Sequence, residues 1–291
     1  MRNISAMDII QIDVTNICDR TCSNCTRLCG HYRPDKLYFM DIDYYEKAIT
    51  TLDAYQGIIG MIGGEPTLHP RFPELCEILR ARVKQKERRG LWSNVGPKYH
   101  QYKELIEDTF GFQNLNDHVS NDIIHTPILV ASQDLIRDGY LSEQQWRDYT
   151  DSCWVQNTWS ATITPSGAYF CEVAGMLDYL FEGNVGWDIF ETQDWWKKTV
   201  SEYEDQIGWA CKKCGCQLPL QPRRSEDIID DVSDTNLQRL VSVGSPKIIK
   251  KQYNIYSAGF DMSQVRDNTW YWNSNNYMAN FRRYIHRVFG K

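Results

Sequence analysis

The stretch IIQIDVTNICDRTCSNC, residues 9–25, joins a run of β-branched apolar residues to three closely spaced cysteines. Residues 9–14 predict a short strand, because β-branched side chains favour extended backbone. Cys18, Cys22 and Cys25 follow directly with the spacing C-x3-C-x2-C. Three thiolates on one loop can hold three irons of a cubane iron–sulfur cluster and leave the fourth iron open to a further ligand.

Two other interpretations of this loop stay open. Cys29 supplies a fourth sulfur nearby, and a structural zinc ion usually takes four protein ligands. A group of buried cysteines without any metal is the remaining alternative.

The rest of residues 1–150 alternates between strand-like and helix-like stretches. The further predicted strands are residues 57–62, 91–95 and 127–131, and the predicted helices are residues 43–55, 72–85 and 102–110. This alternation predicts an α/β domain with a parallel sheet, as either an open sheet or a barrel.

The second half of the chain predicts smaller elements. Strand-like residues 158–164 and 168–171 flank Pro165-Ser166-Gly167, which predicts a β-hairpin. We expect helices at residues 195–206, 236–241 and 277–289, and a polar loop or linker at residues 223–234. The resulting domain prediction is 1–150, 151–217 and 218–291.

Composition restricts the class of protein. The 291 residues suffice for one large and one small domain, and the net charge of −6 argues against a nucleic-acid partner. We expect no membrane partner and a cytoplasmic location, because the sequence has neither a signal peptide nor a run of about 20 apolar residues. Disulfides are rare in that compartment, so the ten cysteines indicate metal or redox chemistry.

A second motif follows the next predicted strands. Residues 63–66 read GGEP at the end of the second strand, and Ser93-Asn94 follows the third. Together with the cysteine loop, these residues resemble the radical S-adenosylmethionine (SAM) superfamily. The resemblance implies that the SAM-binding residues are Asn24, Gly63, Gly64, Glu65, Pro66, Ser93 and Asn94. Asn24 is a departure, since the family often has an aromatic residue there, and the expected contact is from its backbone to the adenine.

The resemblance also implies a fold and a chemistry. The fold is a partial (β/α)6 TIM-like barrel with a [4Fe–4S] cluster, held by Cys18, Cys22 and Cys25, at the carboxyl end of the strands. SAM binds the open iron, and its reductive cleavage yields a 5′-deoxyadenosyl radical that abstracts a hydrogen atom from substrate. An electron donor such as flavodoxin or ferredoxin is the implied partner.

A second group of cysteines lies beyond residue 150. Cys153, Cys171, Cys211 and Cys214 resemble the Twitch form of the superfamily's auxiliary domain, a small hairpin-containing unit with one further [4Fe–4S] cluster. The longer SPASM form needs more cysteines after Cys216, where this chain has none. A structural zinc is the alternative, and Cys216 can replace Cys214 as ligand or be a free thiol.

This arrangement resembles aminocyclitol and sugar dehydrogenases and epimerases, which abstract hydrogen from a hydroxyl-bearing carbon. A dehydrogenase then passes an electron to the auxiliary cluster and forms a ketone, whereas an epimerase returns a hydrogen atom from a thiol. Cys216 and Cys29 are the candidate donors, and we favour Cys216. Asn116-Asp117-His118 and His125 lie near the expected active face, and Asp117 or His118 is a candidate for contacts with a sugar hydroxyl or the SAM ribose, or for capping a turn.

Two other function classes are weighed. A radical SAM maturase that modifies a peptide or protein usually carries an N-terminal recognition domain, and Cys18 lies only seventeen residues after Met1. We therefore expect a small carbohydrate-like substrate. A non-catalytic iron–sulfur scaffold is disfavoured by the GGEP motif beside the cysteine loop.

Overall fold

A computed structural model of the chain describes residues 1–118, 123–158 and 160–256. The predicted helix at residues 277–289 lies outside these ranges. None of the helices in the described ranges is both long and apolar enough to cross a membrane.

The strands alternate with helices over most of the described chain. The strands are β1 Ile9–Asp13, β2 Ile58–Ile62, β3 Arg89–Ser93, β4 Phe112–Leu115, β5 Ile124–His125, β6 Ser160–Thr164, β7 Gly167–Tyr169, β8 Arg223–Arg224, β9 Asp230–Val232 and β10 Tyr253–Ile255. The α-helices are α1 Ile42–Thr50, α2 Phe72–Arg82, α3 Pro97–Gln101, α4 Lys103–Thr109, α5 Ser132–Arg137, α6 Glu143–Asp151, α7 Trp154–Thr158, α8 Glu172–Phe181, α9 Glu204–Ala210, α10 Asp234–Ser242 and α11 Pro246–Ile249. Short 3-10 turns occur at Ile4–Ala6, Pro34–Lys36, Pro66–Leu68, Lys86–Arg88, Trp195–Lys197, Val200–Tyr203 and Ser225–Asp227.

A central sheet organises the fold. Within the described residues it has six strands in the order β4-β3-β2-β1-β6-β7. β1 pairs in parallel with β2 and with β6, β2 with β3, and β3 with β4, whereas β7 is antiparallel to β6. The predicted α/β class with a mainly parallel sheet is therefore confirmed.

The register places the carboxyl ends of three strands side by side. Ile12 of β1 lies opposite Met61 of β2, and Ile59 of β2 lies opposite Arg89 of β3. All residues of β1, β2 and β3 are buried, as expected for strands covered on both faces. The cysteine loop, the GGEP motif and Ser93-Asn94 consequently emerge at one edge of the sheet, where barrel enzymes place their active sites.

The predicted hairpin is present, and it extends the central sheet. Thr162 of β6 lies opposite Tyr169 of β7, and Ile163 of β6 also pairs with Ile12 of β1. The hairpin residues thus continue the sheet on the side of β1 away from β2. The division into units at residues 150 and 217 stays a prediction.

The predicted strand at residues 127–131 is wrong. These residues are buried without forming a strand, and their backbone bonds to the C-terminal part of the chain instead. Ile128 O accepts a hydrogen bond from Gly215 N at 2.9 Å, and Leu129 O accepts one from Ser233 N at 3.2 Å. An apolar run of this length looks the same whether it joins a sheet or is covered by a loop.

The polar segment 223–234 is more ordered than expected. It contains β8, which pairs with β5, and β9, which pairs with β10. Asp230 and Asp231 are buried because each has cationic or amide partners. The predicted helix at 195–206 consists instead of two 3-10 turns followed by α9, while α10 confirms the helix predicted at 236–241.

Candidate active site

The cysteines of the loop after β1 lie together. The Cys29 thiol is in hydrogen-bonding contact with Cys18 and Cys25; this contact lowers the pKa of Cys25 and, together with burial, raises that of Cys29 well above its usual value. Burial raises the pKa of Cys22 to about 12, and the neighbouring Cys25 and Cys18 add to the shift. One loop therefore brings four sulfurs into a shared environment, with Cys29 buried and the other three half-buried.

The two glycines of the GGEP motif allow the motif to approach the cysteine loop. A Cβ on Gly64 would lie 2.3 Å from Ile17 O and 3.0 Å from Cys18 N, so no larger residue fits without displacing the loop. Gly64 N donates to Thr15 O at 2.7 Å, and Glu65 N donates to Ile17 O at 2.9 Å. The backbone of the motif is thereby fixed to the residues that precede the first cysteine.

The Glu65 carboxylate joins the GGEP motif to Ser93-Asn94. It accepts hydrogen bonds from Ser93 Oγ at 3.0 Å and Asn94 N at 2.7 Å, and from Thr67 in the 3-10 turn that Pro66 opens. Burial raises the pKa of Glu65 above its usual value, against the effect of these donors. Asn94 Nδ2 in turn lies 3.5 Å from Cys18 Sγ.

Asn24 bonds to the C-terminal part of the chain. Its backbone has a φ of 49°, in the left-handed region that Asn tolerates better than most residues. Asn24 Nδ2 donates to Asp231 Oδ2 at 3.1 Å, and Asp231 N donates to Asn24 Oδ1 at 2.9 Å. The backbone N–H of Asn24 donates to Asp230. The expected contact between the Asn24 backbone and adenine stays a prediction. The Asn24 side chain is hydrogen-bonded to Asp231.

His118 and His125 both lie at the cysteine loop. His118 Nδ1 is 4.0 Å from Cys22 Sγ and 3.1 Å from Ser225 Oγ. His125 Nδ1 is 2.8 Å from Ser23 O. Burial lowers the pKa of His118 to about 4, so its imidazole is neutral at pH 7.

The second group of cysteines surrounds a cavity. It is lined by apolar side chains and by Cys153, Cys171, Cys211, Cys214 and Cys216. Burial raises the pKa of Cys153 to about 12 and holds the pKa values of Cys171 and Cys211 well above their usual value. The sequence pattern suggested four cysteines here, and Cys216 is the fifth in the same cavity.

Several elements position these cysteines. Cys153 precedes α7, Cys171 precedes α8, and Cys211 directly follows α9. Ser132 Oγ donates to Cys214 O at 2.7 Å, Gln217 Nε2 donates to Cys211 O at 2.8 Å, and Cys216 N donates to Cys214 Sγ at 3.2 Å. The contact with Cys214 raises the pKa of Cys216 well above its usual value, and burial adds to that effect.

The donor atoms of both groups suit iron–sulfur clusters. Over residues 1–118, 123–158 and 160–256, no group of three or more His, Cys, Asp and Glu side chains is arranged to hold a metal ion. Cysteine sulfur is nevertheless the ligand of iron–sulfur clusters, and each group concentrates thiols, the first partly exposed and the second in an apolar cavity. The first group also has the GGEP backbone close beside it, at Gly64.

Some site residues carry no signal in the sequence. Arg27, His31, Asp230 and Lys247 are all buried around the cysteine loop. Each is an isolated charged or titratable residue in the sequence. Neither motif spacing nor periodicity therefore predicts that it is buried at the site. Only the fold brings Asp230 and Lys247 to a loop more than 200 residues earlier.

Comparison with known proteins gives structural likeness only. No protein-family model matches the chain, and no curated protein matches it. Among solved structures, BtrN in complex with AdoMet and 2-DOIA is 15% identical over 72% of this chain and 92% of BtrN, with a TM-score of 0.42. SuiB of Streptococcus suis bound to S-adenosylmethionine is 12% identical over 98% of this chain and 49% of SuiB, with a TM-score of 0.34. Likenesses of this size do not assign a function.

Proposed function

We propose that this protein is a radical SAM enzyme that abstracts hydrogen from a hydroxyl-bearing carbon of a small carbohydrate-like molecule. The observation that carries the proposal is the Glu65 carboxylate, which links GGEP to Ser93-Asn94, with Asn94 beside Cys18. Three motifs that the sequence suggested separately therefore meet at one edge of the sheet. A chance turn motif and a chance cysteine group have no reason to share this contact.

The first site has residues for each part of a SAM complex. Cys18, Cys22 and Cys25 would hold the [4Fe–4S] cluster, and the backbone of residues 63–66 would receive the amino group of SAM. Ser93-Asn94, which Glu65 holds by hydrogen bonds, would bind the carboxylate or ribose of SAM. When bound, the cofactor supplies a 5′-deoxyadenosyl radical that removes a hydrogen atom from a C–H bond.

The second site would hold an auxiliary [4Fe–4S] cluster. Its cavity offers more thiols than one cluster needs, with Cys153, Cys171 and Cys211 next to three different helices and Cys214 and Cys216 close together in the chain. The apolar lining limits access of water, which suits both an iron–sulfur cluster and a closed structural zinc site. Either Cys214 or Cys216 would be the fourth ligand.

Dehydrogenation is the outcome that the thiol positions support better. Epimerisation requires a free thiol to return a hydrogen atom to the carbon radical. Cys29 contacts Cys18 and Cys25, and Cys216 contacts Cys214, so each candidate donor lies within a proposed cluster site. In a dehydrogenation, an auxiliary cluster held by these cysteines would accept one electron from the carbon radical, and the hydroxyl group would lose its proton, which leaves a ketone.

Turnover in deuterated water tests this proposal. A panel of aminosugars, cyclitols and nucleotide sugars is offered to the reconstituted enzyme with SAM and a reductant. We expect a ketone with no deuterium at the reacting carbon. An inverted product with one deuterium at that carbon establishes an epimerase instead, and its loss in Cys216→Ala or Cys29→Ala identifies the donor. Cys76→Ala is the matched control, because Cys76 is buried within α2 among core residues.

The cellular setting follows from the chemistry. All ten cysteines are free thiols, which suits a reducing compartment. We infer a cytoplasmic location and a one-electron donor such as flavodoxin or ferredoxin. Reduction of the reconstituted protein by either donor, followed by optical bleaching, tests the second inference.

A further inference from the structure

The C-terminal part of the chain covers the cysteine loop. Ser23, between the second and third cysteines, donates its backbone N–H to Ser225 O at 2.9 Å, and its hydroxyl accepts from Ile229 N at 2.9 Å. Asn24 is joined to Asp231 by two hydrogen bonds. The loop is thus held by a segment about 200 residues further along the chain.

Lys247 is a buried ammonium group beneath this loop. Its side chain is 2% exposed, and its Nζ donates to Cys22 O at 3.0 Å and to Asp230 Oδ2 at 2.7 Å. Gly30, with a φ of 91°, makes room for it, since a Cβ there would lie 3.2 Å from the lysine stem. Burying an ammonium is costly unless it is paired and hydrogen-bonded, so this placement needs both acceptors.

Asp230 connects Lys247 to the other side of the loop. Its carboxylate also receives the backbone N–H of Asn24, and it lies 2.7 Å from His31 Nε2. His31 Nδ1 lies 2.8 Å from Ser245 Oγ, close to Lys247 in the chain. One buried ion pair therefore contacts the backbone of Cys22 and of Asn24, the residues on either side of Ser23.

We propose that Lys247 and Asp230 are positioning residues that hold the backbone of the loop of Cys18, Cys22 and Cys25 in the conformation seen here before any cluster binds. Lys247 fixes the carbonyl of Cys22, and Asp230 fixes the amide of Asn24. This role goes beyond the proposed function and applies to the cluster-free protein, so it stands or fails separately from the assignment of SAM chemistry.

Alkylation of thiols in the cluster-free protein tests the role. Lys247→Met removes the charge and keeps the length of the side chain. We expect Cys22 and Cys25 to react with N-ethylmaleimide at least about tenfold faster than in the wild type, as read by mass spectrometry, because local opening exposes them. Cys76 and Cys153 should react at unchanged rates. Lys103→Met is the matched control, because Lys103 is 61% exposed in α4.

Whether the alkylation rate of Cys22 and Cys25 rises or falls distinguishes local opening of the loop from the mere loss of a nearby positive charge. Lys247 Nζ lies 3.0 Å from Cys22 O, and a cation this close attracts negative charge rather than repelling it. Loss of the ammonium without any opening of the loop would therefore not accelerate the alkylation. Equal or slower labelling of Cys22 and Cys25 in folded Lys247→Met overturns the proposal, as does faster labelling of Cys76 to the same degree.

Two further measurements cover the case in which Lys247→Met does not fold. The double variant Asp230→Asn with Lys247→Met removes both charges together, and we expect the same selective acceleration. In the wild-type protein, the amides of Ser23 and Asn24 should exchange with deuterated water at least about 100-fold more slowly than unprotected amides. Exchange of these two amides at the unprotected rate contradicts the proposal without any variant.

Discussion

Arg27 Nη2 lies 3.3 Å from Glu172 Oε1, and both side chains are buried. Arg27 comes two residues after Cys25, and Glu172 directly follows Cys171. Arg27 Nη1 also donates to Asp13 Oδ2 at 2.8 Å, at the carboxyl end of β1. The two cysteine sites are therefore connected by a buried group of one cation and two carboxylates.

Removal of the Arg27 cation is expected to destabilise the protein. Arg27→Met leaves Asp13 and Glu172 buried without their cation, and such a change typically costs about 3–5 kcal/mol. Urea unfolding of the cluster-free protein measures it. Arg82→Met, which breaks the exposed pair between Arg82 and Glu46, should cost at most about 1 kcal/mol. An equal loss of unfolding free energy in the two variants would show that the buried group of Arg27, Asp13 and Glu172 stabilises the protein no more than an exposed ion pair does.

Asp13 is expected to make the stability of the cluster-free protein depend on pH. Burial raises the pKa of Asp13 from 3.8 to about 6, although Arg27 opposes the shift. Between these two values the folded state holds more protons than the unfolded state, so this contribution to stability falls as the pH rises.

The comparison of wild type with Asp13→Asn isolates this effect. The free energy of unfolding of the wild type, minus that of the variant, should decrease by about 3 kcal/mol at most from pH 4 to pH 7. Urea unfolding at four pH values measures the difference. A difference that is constant or increases with pH is inconsistent with a raised pKa.

Sequence patterns predicted the elements whose neighbours are close in the chain. Residues 9–14 match β1 because a continuous β-branched run suits a strand buried on both faces. The GGEP motif directly follows β2, as the sequence predicted. In contrast, the contacts of Lys247 with Cys22 and Asp230 depend on the whole fold, and no periodicity encodes a single buried charge. The strand prediction for residues 127–131 failed for the same reason, because distant segments provide the hydrogen-bond partners of these residues.

Gly64→Ala tests the close approach of GGEP to the cysteine loop. The added Cβ would meet Ile17 O at 2.3 Å and would force the residues before Cys18 to move. A displacement of about 1 Å can cost about 100-fold in rate, and we expect SAM cleavage to fall by about that factor. Gly208→Ala is the matched control, since its Cβ would meet nothing within 4 Å in α9, and cleavage should be unchanged. Equal cleavage by both variants would contradict the placement of SAM at residues 63–66.

The metal content distinguishes two clusters from one cluster and one zinc. Two [4Fe–4S] clusters predict about eight irons per chain after anaerobic reconstitution. Changing Cys153 and Cys171 to Ala should reduce this to about four irons, with the first cluster intact in the protein that stays soluble. About four irons together with one zinc in the wild type would assign the second cavity to a structural zinc.

Cleavage of SAM is the most direct test of the central claim. The wild-type protein, reconstituted anaerobically and supplied with SAM and a strong reductant, should release 5′-deoxyadenosine, measured by chromatography with mass detection. Changing Cys18, Cys22 and Cys25 together to Ala should abolish this product, because no cluster iron then remains to bind SAM. Formation of 5′-deoxyadenosine by the triple variant at the wild-type rate, or its absence from fully reconstituted wild type, would contradict the assignment of a radical SAM site to this loop.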